Sequence, residues 1–296
     1  MSVNDDLGTR MKEFYEQVPR FRLTRRTPVA IRLDGKAFHT FTREFEKPFD
    51  ERLGAAMRET MKYLCENVQN CILGYQQSDE ITLILIDYKE LNSSAWFNYE
   101  IQKMCSISAS MATMAFNKFF EKEVNKWIID YLGYNTGKVS VADIELKDAY
   151  MKSLSKGAMF DSRCFNIPKE EVANLIYWRQ LDATRNSIQM VGQANFSHKE
   201  LQNKSCNDIQ DMLFQKRNIN WNDFPTHLKR GSCCVKIEST TTCAKTVDGE
   251  VITWAAERPH WEIDLEIPIF KNDGREYINR RILYEEKPET TIAYIN

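Results

Sequence analysis

The chain has 296 residues, 43 % of them hydrophobic and 28 % charged, enough to bury a sizeable core as one large or two modest domains. Forty Lys and Arg against forty-two Asp and Glu leave a formal net charge of −2. That excludes a globally basic, histone-like binder, but not a basic stripe hidden inside a neutral total. No apolar run approaches the ~20 residues of a membrane helix, and the polar start MSVNDDLGTR lacks the apolar core of a secretory signal. The eight cysteines form no C-x-x-C pair and only four histidines are present, so the common zinc spacings are absent. We read the cysteines as reduced thiols of a cytoplasmic protein.

Residues 10–32 are locally basic, with Arg10, Lys12, Arg20, Arg22, Arg25, Arg26 and Arg32 against Glu13 and Glu16. A helix is expected over 7–17, then a buried strand over 27–33 (TPVAIRL) entered through Pro28. Leu53, Ala56, Met57, Met61 and Leu64 fall at helical spacing and predict an amphipathic helix over 50–67, capped by Asp50. Two apolar runs, 71–75 and 80–87, flank Gln76-Gln77-Ser78-Asp79 and read as a hairpin. A second long helix is expected over 99–120, and a short strand over 157–165. The order strand, helix, strand, strand, helix, strand is that of the split βαβ, ferredoxin-like fold, an antiparallel sheet with two helices on one face and the other face open. Further α+β elements follow: helices over 170–191 and 209–215, strands over 230–238 and 262–270. The expected division is a palm-like core over 1–135 and an α+β extension over 136–296 that completes it, with the boundary in 133–138.

Asp34 ends the first strand and is followed by Gly35, while Asp79 and Glu80 occupy the turn between the second and third strands. In a split βαβ sheet the first and third strands are neighbours, so these acids converge. Clustered carboxylates repel unless a cation sits among them, and hard oxygen ligands suit Mg²⁺. Two Mg²⁺ ions bridged by aspartates are the arrangement of palm-type nucleotidyl transferases. Each motif alone has an ordinary reading, since Asp-Gly and Ser-Asp-Glu are common turns; it is their placement at facing strand ends that points to chemistry.

Residues 31–41 (IRLDGKAFHTF), 45–52 (FEKPFDER) and 74–82 (GYQQSDEIT) resemble the signature motifs of the histidine-tRNA guanylyltransferase family and its 3′-to-5′ polymerase-like branch. The resemblance extends to LGTRMKEFYE near the start, FDSRCF at 160–165 and WRQLDATRNSI at 178–188. It implies a palm-like enzyme that adds nucleotides to the 5′ end of tRNA using ATP, GTP or other nucleoside triphosphates, commonly as a homotetramer. Carried onto this chain, it implies that Asp34, Asp79 and the Gly35 carbonyl hold two Mg²⁺ ions, with Glu80 supporting the cluster or ligating the second ion. Lys36, Ala37, Phe38, His39, Lys47 and Ser78 would bind the nucleotide. Spacing alone favours a helix-capping or core residue for His39 and a solvated lysine for Lys47; the motif reverses the reading of His39.

Arg25, Arg26, Arg179, Asp182, Arg185 and Asn186 are candidate tRNA contacts, the last four also readable as a polar helix face with internal pairs. A second basic candidate is Lys216, Arg217, Lys229, Arg230 and Lys236, with Trp221 and Phe224 nearby for stacking. Where the eukaryotic histidine-tRNA enzymes carry H-I-N, this chain has Thr184-Arg185-Asn186. That departure resembles the polymerase-like branch and favours template-dependent 5′-end repair over addition of a single G. Remoter alternatives are a palm-type nucleotide cyclase and a non-catalytic RNA-binding module on an open sheet face. The third strand, Ile81-Thr82-Leu83-Ile84-Leu85, offers no aromatic residue for the last of these.

Overall fold

The computed structural model describes residues 6–133, 139–247 and 250–283; the expected boundary at 133–138 lies, except for Gly133, outside them. The elements are α1 (Asp6–Met11), β1 (Val29–Gly35), α2 (Phe38–Phe41), α3 (Glu51–Asn67), β2 (Cys71–Gln77), β3 (Glu80–Leu85), α4 (Ile101–Trp127) and α5 (Val141–Lys156). There follow β4 (Phe160–Asn166), α6 (Lys169–Asn195), α7 (His198–Leu201), α8 (Cys206–Arg217), α9 (Thr226–Arg230), β5 (Ser232–Val247), β6 (Glu250–Asp264) and α10 (Glu276–Ile282). One antiparallel sheet runs in the order β4-β1-β3-β2-β5-β6, and its first four strands have the split βαβ order.

Alternation along β1 and β3 sorts the residues onto two faces. Val29, Ile31, Leu33, Ile81, Leu83 and Leu85 pack against Ala56, Met57, Met61 and Leu64 of α3 and against Met104, Ala112, Phe116 and Phe120 of α4. The opposite face is not open, contrary to the expectation. Ala30, Leu73, Tyr75 and Ile84 pack against Val172, Ala173 and Ile176 of α6 and Ile278 and Ile282 of α10. Every residue of β3 is buried, which is why its sequence is an almost unbroken apolar run. An RNA-binding module that reads bases on a bare sheet face is therefore overturned: α6 occupies that face.

Local chemistry accounts for the ends of these elements. Asp50 caps α3 by accepting from the Leu53 amide, as the sequence suggests. A capping box of Ser140 with Asp143 starts α5, a helix the sequence reading missed. The N-terminal helix is α-helical only over α1 and continues as a π-helical segment through Lys12–Glu16, with none of its residues buried. The strand expected over 262–270 stops at Asp264. Beyond it the Gln180 amide of α6 donates to the Pro268 carbonyl (2.8 Å) and accepts from the Phe270 amide (2.9 Å), drawing the chain off the sheet. The seven described cysteines are free, and no described helix is long and apolar enough to cross a membrane.

Candidate active site

The end of β1 meets the β2–β3 turn. Gln77 and Glu80 still pair across the hairpin, leaving only Ser78 and Asp79 as the turn, with Ser78 at φ +48°. The Gly35 amide donates to the Asp79 carbonyl at 3.1 Å, which fixes the turn against the strand end. A Cβ at Gly35 would lie 2.3 Å from the buried Phe38 ring, so a larger residue there displaces the loop that follows. In register, Asp34 stands opposite Glu80 on one side and opposite Asp161 on the other.

Burial pushes the Asp79 carboxyl above the usual carboxylate range, and the nearby Asp34 adds to the shift. The Ser78 hydroxyl, 3.0 Å from Oδ1, and His39 work in the opposite direction. No salt bridge reaches Asp34 or Asp79 among the described residues, and the two form a hard-oxygen donor set that no Lys or Arg neutralises. Such a set fits a divalent ion held by two carboxylates and main-chain oxygen. Among the described residues no group of three or more Asp, Glu, His or Cys side chains converges on one point. Glu80 is held by two arginines. Its Oε1 accepts from Arg179 Nε at 2.7 Å and its Oε2 lies 3.9 Å from Arg32 Nε, all three side chains being largely buried. Burial raises the Glu80 carboxyl, and the two guanidinium groups offset part of that rise.

The loop after Asp34 is held by the Lys36 amide, which donates to the Met159 carbonyl at 2.8 Å, and by Ala37 at φ +55°. Phe38, expected in the nucleotide loop, turns its ring into the core. It is 4 % exposed and its ring packs against Phe41, Phe116 and Phe160. It anchors a loop whose exposed side chains are Lys36, Ala37 and His39. Lys47 is exposed, with Nζ donating to the Thr42 carbonyl at 3.1 Å. Beside Ser78 opens a pocket of about 100 Å³, partly open to solvent, lined by Asp50, Gln76, Gln77, Asn186 and His227 among others. Sequence reading missed His227, which lies in no motif; burial, followed by Arg58, lowers its imidazole.

Along α6, Arg179, Arg185 and Asn186 all donate to the Asp182 carboxylate, at 2.7 Å for Arg179 and 3.5 Å for Asn186. These residues are thus the internally paired helix face that the spacing allowed, but with Arg179 buried and reaching the acidic turn. Arg25 and Arg26 sit in a turn before β1, beyond the strand end opposite to Asp34. Both are tied to the buried Asp87, Arg25 through its guanidinium and Arg26 through its amide. The second basic patch is corrected as a stacking surface. Trp221 is buried with its indole N–H donating to Ser187, and Lys229 is buried over the same ring.

The model of the family described as "Thg1: tRNAHis guanylyltransferase" matches residues 8–168, more than half of the chain. The chain belongs to the tRNAHis guanylyltransferase (Thg1) family. It is therefore an enzyme of the nucleotidyltransferase class. A bacterial Thg1-like protein solved with ATP is 38 % identical, with a TM-score of 0.71, covering 93 % of this chain and 98 % of that one. A bacterial Thg1-like protein solved with GTP is 35 % identical, with a TM-score of 0.69, covering 95 % and 100 %. The tRNA(His) guanylyltransferase of Saccharomyces cerevisiae is 29 % identical over 223 residues, 69 % of this chain and 80 % of that protein. In this Thg1-family chain the matched region carries the whole acidic turn and β4, but ends before α6, whose Arg179 braces Glu80.

Proposed function

We propose that this enzyme adds nucleotides to the 5′ end of tRNA in the 3′-to-5′ direction, copying the opposite strand to repair truncated ends. The observation that carries the chemistry is the juncture of Asp34 with Asp79 through the Gly35–Asp79 contact, beside a pocket that Ser78 helps to line. The bacterial relatives bound to ATP and GTP, and the yeast relative named for its tRNA substrate, support nucleotide and tRNA as its substrates. Thr184, at the position of the eukaryotic histidine, supports repair over single-G addition. Its hydroxyl is turned back onto the Gln180 carbonyl at 3.0 Å and presents no imidazole to a substrate.

A tRNA 5′-monophosphate is first joined to AMP from ATP, releasing pyrophosphate. The 3′-hydroxyl of an incoming nucleoside triphosphate then attacks the activated phosphate, and AMP leaves. Both steps are in-line phosphoryl displacements, governed by positioning and charge neutralisation. Asp34, Asp79 and the Gly35 carbonyl are the groups that would hold two Mg²⁺ ions, which when bound favour deprotonation of the attacking hydroxyl and neutralise the triphosphate. Lys36, His39, Lys47 and Ser78 are the groups that would meet the triphosphate. Glu80, clamped by Arg179 and Arg32, holds the turn at the strand end. The reading includes a cytoplasmic homotetramer, the assembly to be checked by light scattering.

Asp79→Ala is expected to abolish nucleotide addition while leaving the melting curve and tRNA affinity near those of the parent; retained activity overturns the assignment. One assay separates the two branches. Full-length histidine tRNA and 5′-truncated tRNAs are supplied with ATP and each nucleoside triphosphate, and the 5′ ends are mapped. Extension that follows the opposite strand supports repair; a single G on histidine tRNA alone identifies the other activity.

A further inference from the structure

The acidic turn has two unlike flanks. On the β2 side lies the pocket that Gln76, Gln77 and Ser78 help to line. On the side of the edge strand β4 the surface is open, and there Trp178 is 52 % exposed, an unusual position for the largest aromatic side chain. The Arg179 guanidinium carbon lies 4.2 Å from its ring centroid and that of Arg32 lies 5.9 Å away. Both arginines also reach Glu80, so the indole stands one side chain away from the acids. The Arg32 Nε is buried without a hydrogen-bond partner. Arg163 faces Arg32 in register on β4, and its side chain is half exposed. Trp178, Leu181 and Arg185, at helical spacing i, i+3 and i+7, form the solvent stripe of α6 beside it.

We propose that this face is the seat of the RNA's 5′ end, with Trp178 as the platform on which the terminal base stacks and Arg163 and Arg185 meeting the adjoining phosphates. The proposal rests on the functional reading above and deepens it. A polymer end needs an open approach, which the edge strand β4 with its half-exposed Arg163 allows. Exposed aromatic rings interleaved with arginine are the grip proteins use on unpaired or terminal nucleotides. Stacking is indifferent to base identity, because every base has a π face. That indifference is what a repair enzyme needs when the last base differs from one truncated tRNA to the next. Arg179 holds the indole from below, so the platform and the Glu80 brace move as one unit.

The test measures binding of a 5′-monophosphorylated, 5′-truncated tRNA labelled at its 3′ end, alongside binding of ATP and GTP. Trp178→Ala is expected to weaken RNA binding roughly 5- to 150-fold with nucleotide affinity unchanged. Trp178→Phe, which keeps a ring, should retain most of the affinity. Trp178→Leu, which keeps apolar bulk without a π face, should behave like alanine. Arg163→Ala should lower the salt slope of RNA binding by about one. Unchanged RNA affinity, equal behaviour of the Phe and Leu variants, or a loss confined to ATP or GTP overturns the proposal. A parent protein that binds no RNA removes the functional reading and this proposal together, whereas parent binding with an unaffected Trp178→Ala removes the proposal alone.

Discussion

Arg179 joins two features that sequence distance separates by about a hundred residues. Its Nε holds Glu80 and its terminal nitrogen holds Asp182, with only 6 % of the residue exposed. Removing one partner of a buried pair strands the other charge, so Arg179→Ala is expected to cost about 3–5 kcal/mol. Nucleotide addition should fall with it, because the turn carrying Asp79 loses its brace. Denaturant unfolding together with the 5′-end assay checks both outcomes. At this scale the convergence of Asp34 and Asp79 is legible, since strand order alone brings an acid at the end of one strand to a turn at the start of its neighbour. Phe38 is not. An aromatic residue in a loop motif looks the same whether its ring meets a ligand or a core, and only the packing of α4 and β4 around it decides. Glu80 was half legible: its place beside the acids followed from register, but its guanidinium partners are set by the fold of α6.

The elements show where short-range patterning suffices and where it stops. Alternation and turn chemistry give the hairpin, and apolar spacing gives α3. The apolar residues Val172, Ala173 and Ile176 say that α6 buries one face, but spacing cannot say against what; the structure lays it over the second face of the sheet. Close packing of β2 on α3 depends on Gly74, where a Cβ would lie 2.5 Å from Cys65 Sγ and 2.9 Å from Met61 Cγ. Gly74→Ala is therefore expected to destabilise the fold by about 1–3 kcal/mol through overpacking, read as a lower denaturation midpoint with unchanged slope. At helix starts the charge state matters. In the box that opens α8, the Ser205 amide and hydroxyl hold the Asp208 carboxyl below its usual range, and Ser140 does the same for Asp143 at α5. A depressed folded-state value means stabilisation that is present above the ordinary carboxylate range, near pH 4, and lost as pH falls through the lowered value. Asp208→Asn should therefore lower the melting temperature at neutral pH and flatten its decline on the acid side.

At the scale of the whole molecule, the matched family region ends at residue 168, yet the sheet does not. Its order β4-β1-β3-β2-β5-β6 takes four strands from within that region and two from far beyond it. The face bearing Ala30, Leu73, Tyr75 and Ile84 is covered by elements later in the chain: α6, α10 and the 267–270 segment that Gln180 pins in place. A fragment of residues 1–168 would expose that face and leave Glu80 without Arg179. We expect it to be compact but loosely packed: helical by far-ultraviolet circular dichroism, dye-binding through its bared apolar face, without a cooperative melt and without nucleotide addition. A fragment that melts cooperatively would mean that α3 and α4 alone stabilise the sheet and that α6 serves the substrate rather than the fold. The two roles separate further in the full chain. Ile176→Ala, at a fully buried contact of α6 with the sheet, should lower stability by about 2–5 kcal/mol while leaving activity at low temperature largely intact. Arg179→Ala should reduce both, because Arg179 is the residue that ties the helix to the acidic turn.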